Sequence, residues 1–178
     1  MAILPIRLYP DPVLREAAAP VTDVDDSVRK LIADMGETMR AAPGVGLAAP
    51  QVGVQRRVLV YSTSPEEPIS VVINPEIVYR HGEELAEEGC LSIPELTYAV
   101  PRAQSIVLRG LDADGLQFTR EAEDFEARII QHEVDHLDGV LFIDRIDQSD
   151  RREAMKILRE RALDGDMAGR PRSRALSM

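Results

Sequence analysis

Two of the three histidines in this chain, His132 and His136, stand four residues apart. The segment that holds them runs from about Asp124 to Leu137 and has helical spacing. Phe125, Ile129, His132 and His136 fall at i, i+4, i+7 and i+11, on one face. Side chains four apart on a helix are neighbours, so both imidazoles can reach one ion. Gly139 suits the C-terminal stop of such a helix.

His132-Glu133-Val134-Asp135-His136 is an H-E-x-x-H sequence. Its glutamate, one residue after the first histidine, can take a proton from a water polarised by the ion. The plainer reading is two helix histidines satisfied by ordinary hydrogen bonds. A catalytic site needs more than two ligands, usually three from the protein. One extended form of the motif places a third histidine six residues after His136; that position is Phe142. A thermolysin-type metallopeptidase would use a later glutamate, Glu153 or Glu160. The remaining candidate is Cys90, in Glu88-Gly89-Cys90-Leu91-Ser92. A free cysteine is ordinarily a small buried hydrophobe. Gly89, however, permits close backbone approach, and Leu91-Ser92-Ile93-Pro94 reads as a strand that would hold a thiolate rigidly.

The rest of the chain supplies elements to surround that helix. Asp25 or Asp26 can cap a helix whose apolar face is Val28, Leu31, Ile32, Met35 and Met39, stopped at Pro43-Gly44. Gly44 to Gln51 looks too rich in glycine and alanine for a regular element. Arg57–Tyr61, Val71–Asn74, Ser105–Leu111 and Leu116–Glu123 read as strands, the last two joined through an Asp114-Gly115 turn. Ser64 to Pro68 reads as an exposed loop. A third helix, Ser149 to Leu163, carries Met155, Leu158 and Ala162. The expected organisation is one domain over 1–164 and a polar, arginine-containing tail over 165–178.

Composition narrows the partners. The formal net charge is −10, which disfavours a general nucleic-acid binder. A single cysteine cannot form an intramolecular disulfide, and Met1 to Pro10 lacks the uninterrupted apolar stretch of a secretory signal. Both point to a cytoplasmic setting. No run approaches the roughly 18 apolar residues of a membrane span.

Three segments together resemble the peptide deformylases. Gly44-Val45-Gly46-Leu47-Ala48-Ala49-Pro50-Gln51 is similar to their G-x-G-L-A-A-x-Q motif, Glu88-Gly89-Cys90-Leu91-Ser92 to E-G-C-L-S, and Gln131-His132-Glu133-Val134-Asp135-His136 to Q-H-E-x-D-H. They occur in the family's order. The resemblance implies an α+β fold, with antiparallel sheets packed around a central helix bearing H-E-x-x-H, and an N-terminal and a C-terminal helix. It implies removal of the formyl group from N-formylmethionyl nascent peptides, with transient ribosome contact and no membrane or sequence-specific nucleic-acid partner. It implies one divalent ion on Cys90, His132 and His136: Fe²⁺ in the cell, Zn²⁺ or Ni²⁺ in purified protein.

The same resemblance distributes roles. Glu133 is the base. The Gln51 side chain and the Leu91 N–H are donors to the developing oxyanion, although Gln51 alone would read as an exposed loop end. Gly44, Val45 and Gly46 would lie along the substrate main chain. Phe125, Arg128 and Ile129, with Val45, Ala86, Gly89 and Leu91, would surround its first side chain. Arg128 departs from the aliphatic residue expected there. It reads as a side chain snorkelling at the rim, against a direct contact to the substrate backbone. Arg102 would bridge Glu88 and Asp135 behind the ligands.

Overall fold

Val58–Tyr61 is buried at every position. A strand covered on both faces is apolar throughout rather than alternating, and Val-Leu-Val-Tyr is such a run. Val58 and Val60 join one core with Val28, Ile32, Met35 and Met39. Leu59 and Tyr61 join another with Ala127, Ile130 and Val134.

The computed structural model describes residues 1–165. In chain order the elements are α1 (Asp26–Ala41), β1 (Gly46–Ala48), β2 (Val58–Tyr61), β3 (Ser70–His81), β4 (Glu84–Cys90), β5 (Ile93–Arg102), β6 (Ser105–Leu111), β7 (Gln117–Glu123), α2 (Asp124–Leu137) and α3 (Gln148–Leu163). Short 3₁₀ turns fall at Pro12–Arg15, Ala49–Val52 and Phe142–Asp144. An antiparallel five-stranded sheet has the order β1-β2-β3-β6-β7, and β4 and β5 form a separate antiparallel pair. α1 packs on one face of the large sheet and α2 on the other. The fold is α+β, with α2 flanked in sequence by an N-terminal and a C-terminal helix.

Local chemistry fixes the ends. Asp25 caps α1, accepting a hydrogen bond from the Val28 N–H at 3.0 Å, a contact typically worth ~1 kcal/mol. Asp147 caps α3 in the same way, accepting from Asp150 at 2.9 Å. The β6–β7 turn puts Gly115 at φ +80°, a conformation glycine adopts without steric cost.

The structure departs from the sequence expectations in four places. Gly46–Ala48 is a strand and Ala49–Val52 a 3₁₀ turn, and Gly46 lets this strand lie close against Glu133 of α2, where a Cβ would collide. The strand expected over Val71–Asn74 continues to His81 through two register shifts; its outer half is exposed on most residues and shows no apolar signal. Leu91-Ser92 is the hairpin corner between β4 and β5, with Cys90 paired to Ile93 across it, and not the start of a strand. In α3 the buried residues are Ala154 and Leu158, with Ala162 exposed, so the covered stripe is offset from the expected one. The tail expected beyond Gly165 lies outside the described residues.

Candidate metal centre and active site

α2 has the unusual property that its buried side includes Arg128, Gln131, His132, Glu133, Asp135 and His136. Polar groups in such a position need partners or a ligand. The two histidine rings are 5.0 Å apart at their centroids. Cys90, at the end of β4 and 2% exposed, brings its Sγ to 3.3 Å from His136 Nε2. One ligand atom from each of Cys90, His132 and His136 lies within 4.8 Å of the other two.

These residues fit one divalent ion. His132 Nδ1 donates to Glu88 Oε2 at 2.9 Å, which leaves its Nε2 lone pair for a ligand. One thiolate and two imidazoles form a three-ligand set of the kind that keeps a further position open. Cys90, His132 and His136 are therefore the site of a single divalent metal, Fe²⁺, Zn²⁺ or Ni²⁺ by donor chemistry. Glu153 and Glu160 lie on exposed parts of α3, and the Glu153 carboxylate meets Tyr98 Oη at 3.3 Å. Neither belongs to the cluster, which removes the thermolysin-type alternative. His81 is also exposed, stacked on Tyr79.

Glu133 is 2% exposed, and its Oε2 has no hydrogen-bond partner. Burial pushes its carboxyl up to about 7. Gly46 makes the room: a Cβ there would collide with the Glu133 carboxylate, and the Glu133 Cγ would be only 2.9 Å away. Gly44 does the same for Leu91, whose Cδ1 would be 2.7 Å from a Cβ. Both glycines thus serve close approach rather than backbone freedom.

Gln51 is 1% exposed, so it is not an exposed loop end. Its Oε1 accepts from the Ala48 N–H at 2.9 Å, which fixes the amide orientation. Its Nε2 then faces Ser92 Oγ at 3.2 Å and Cys90 Sγ at 3.7 Å.

Behind the ligands lies a network of buried charges. Arg102 holds Glu88 bidentately at 2.8 and 3.0 Å and reaches Asp135 Oδ2 at 2.6 Å. Burial opposes ionisation of Glu88, but hydrogen bonds from His132 and Arg102 hold its carboxyl well below the usual range. Burial and the neighbouring His132 push His136 down. Arg145 joins the network at Asp135 from the exposed side, and Gln131 lies beside it on α2 with partners of its own. Arg145 grips Asp135 at 2.5 and 2.6 Å, and Gln131 pairs with both main-chain groups of Ala103 at 2.9 and 3.1 Å. Sequence reading misses both: Arg145 shows no spacing signal, and Gln131 is visible only as a letter of the motif.

Arg128 is 3% exposed. The expected rim position is wrong, because the guanidinium turns inward to Glu88 and to main-chain carbonyls of β4 and β5. Val45, Glu88, Arg128, Ile129, His132 and Glu133 line one tight internal gap. Ala86 is half-buried, Gly89 buried, and Phe125 stands 41% exposed on the first turn of α2. Among the described residues no helix is long and apolar enough to cross a membrane.

Comparison with known proteins places this arrangement. Residues 3–152 match the family described as polypeptide deformylase. The chain is 49% identical over 160 residues to a peptide deformylase of Acidothermus cellulolyticus, covering 90% of this chain and 88% of that one. It resembles the crystal structure of a Legionella pneumophila peptide deformylase with a TM-score of 0.85 and 42% identity, over 92% of this chain and 98% of that one. It resembles the Thermus thermophilus enzyme with a TM-score of 0.85 and 44% identity, over 91% and 96%. The geometry and the extent of these matches lead to one conclusion: the chain belongs to the polypeptide deformylase family.

Proposed function

We propose that this protein is a metal-dependent peptide deformylase, hydrolysing the formamide at the start of N-formylmethionyl nascent peptides and releasing formate. The observation that carries this reading is the buried cluster of Cys90, His132 and His136, whose ligand atoms lie within 4.8 Å, with the Glu133 carboxylate adjoining it. The bound ion supplies Lewis acidity, which can lower the pKa of water from ~15.7 toward ~7.

The chain's own groups do the rest. Glu133 takes the proton of the attacking water and later hands it to the leaving amine. Its unpartnered Oε2 is suited to both transfers. As the carbonyl oxygen gains charge, the Gln51 Nε2 and the Leu91 N–H donate to it. One such donor is typically worth ~10²–10³ in rate. The fixed Gln51 amide supports this role, since a donor already in place costs no reorganisation.

β1 is an edge strand of the large sheet. An extended peptide can add to it through main-chain hydrogen bonds along Gly44, Val45 and Gly46, which read little sequence. The first side chain would pack against Val45, Arg128 and Ile129, with Ala86, Gly89, Leu91 and Phe125 around it. Action on nascent chains implies a cytoplasmic setting and transient contact with the ribosome.

The test is formate release from formyl-Met-Ala and acetyl-Met-Ala after anaerobic loading with Fe²⁺. Release from the formyl substrate should be faster by orders of magnitude, because a misplacement of ~1 Å can cost ~10² in rate. Equal rates would overturn the formyl-specific reading.

A further inference from the structure

The small sheet that brings Cys90 to the metal centre is joined to α2 in an uncommon way. The apolar residues of α2 pack with the large sheet. Cys90, Ile93, Leu96 and Val100 pack instead with Ala154 and Leu158 of α3. The strand that ends in Cys90 and the apolar residues of α2 therefore belong to different hydrophobic cores. Besides the stacking of His132 on Phe142 of the second core, at 6.2 Å between centroids, what joins them is polar, and Arg128 makes four of those bonds. Its Nη1 donates to Glu88 Oε1 at 2.9 Å, to Val100 O at 2.8 Å and, more weakly, to Ala86 O at 3.5 Å. Its Nη2 donates to Glu84 O at 2.7 Å.

We propose that Arg128 is a positioning residue: its guanidinium sets the small sheet, and Cys90 with it, against the helix that carries His132 and His136. Arg128 and His132 are one turn apart on α2 and bond the two oxygens of the same carboxylate, Glu88 Oε1 and Oε2. Glu88 precedes Cys90 by two residues on β4. A single turn of helix thus grips the strand that ends in the thiolate. Ala86 and Val100 face each other across the hairpin, so the same guanidinium holds both strands. It does so from a buried position, which commits its donors to the framework and not to the substrate.

Only a planar fork can meet these acceptors together. A lysine keeps the charge but is a single point donor, and methionine keeps much of the volume with no donor. Each change leaves buried acceptors short of partners.

The experiment compares the full-length protein with Arg128→Lys and Arg128→Met, each loaded with Co²⁺ under anaerobic conditions. The readouts are the thiolate-to-cobalt and ligand-field absorption bands, the Zn²⁺ dissociation constant, and kcat and KM on a formyl-Met peptide. Only the kinetic readout rests on the deformylase reading. Arg128→Met should shift the cobalt bands, weaken Zn²⁺ binding by ~10–100-fold, as loss of a group supporting a ligand does, and lower kcat more than tenfold with KM within threefold. Arg128→Lys should fall between it and the parent, and it carries the same test if the methionine variant does not fold. Unchanged bands with a raised KM would assign Arg128 to substrate contact and overturn the proposal. So would unchanged bands, affinity and kinetics with a lowered Tm alone, or an Arg128→Lys protein equal to the parent. A parent protein that releases no formate would remove the functional reading and leave the cobalt and zinc comparison standing.

Discussion

The two faces of this molecule are held together by opposite means. Between α1 and the large sheet, Val28, Met35, Met39, Leu47, Val58, Val60 and Ile73 are all at most 1% exposed and meet as hydrocarbon. Between α2 and the small sheet, Arg102, Arg128, Glu88 and Asp135 meet as buried ions. Apolar contact is non-directional and tolerates repacking. Buried ion pairs gain little net stability over a well-packed hydrocarbon, but they are strongly destabilised when one partner is removed. A directional joint suits the place where three ligand atoms must converge, and the apolar joint suits the scaffold behind it.

Four perturbations probe that contrast. The largest effect should come from Glu133→Ala, which removes the proposed base and not one of the three ligands. Turnover should drop by ~10²–10⁴, while metal content, measured by atomic absorption, stays at the parental level. Loss of the metal would place Glu133 among the ligands. Next is Arg102→Met, which takes three charge-assisted hydrogen bonds from Glu88 and Asp135 and leaves Glu88 to Arg128 and His132 and Asp135 to Arg145. It should cost about 3 kcal/mol in urea unfolding, as buried charged acceptors lose part of their donors, and also weaken metal binding, since Glu88 orients His132. A stability loss without any change in affinity would break the claim that this joint serves the ligands.

Met35→Ala is the counterpart on the apolar side. A large-to-small change at a fully buried site should cost roughly 2–5 kcal/mol, yet kcat per folded molecule should stay within twofold. An altered kcat would show that the two joints are coupled. The smallest effect concerns Asp144, which accepts from the Leu141 N–H at 2.9 Å and is paired with Arg15 and Arg151. Burial pushes its carboxyl up, but the hydrogen bonds from Arg15 and the Leu141 N–H and the nearby arginines prevail and hold it below its ordinary value. A depressed carboxyl adds stability above its unfolded pKa and loses it as pH falls through the folded one. Asp144→Asn should therefore be less stable than the parent by about 1 kcal/mol or less at neutral pH. That gap should close on acidification below the ordinary carboxylate range. A gap that widens in acid would reverse the sign assigned here.

The contrast also explains what the sequence makes legible. α2 was readable to its ends because Phe125, Ile129, His132 and His136 follow one period. α1 was readable because Asp25 and the Val28–Met39 stripe agree. Both belong, wholly or partly, to apolar interfaces, where hydropathy and burial coincide. β4 and most of β5 were not readable. Glu84-Leu85-Ala86-Glu87-Glu88 looks like a solvated stretch, because burial of a carboxylate such as Glu88 runs against the usual distribution and depends on arginines 14 and 40 residues away in sequence. Arg128 failed for the same reason: periodicity gives the direction of a side chain, but not the acceptors waiting there. Cys90, His132 and His136 could be proposed as ligands through the motifs they share with a known family. Glu153 and Glu160 could be set aside only once α3 was placed.

The separation of Cys90 from the two histidines has a consequence for folding. The thiolate and the imidazoles lie 42 and 46 residues apart in the chain and come together only in the native state. A bound ion is therefore a staple that closes a long loop between two cores. Because the unfolded chain holds the ligands far apart, affinity for the ion becomes stability of the fold. At a free-ion concentration 100 times the dissociation constant, that linkage amounts to ~2.7 kcal/mol, an appreciable part of the ~5–15 kcal/mol that holds a domain folded. Metal supply in the cell would then govern how long each copy of the protein survives, as well as how fast it works.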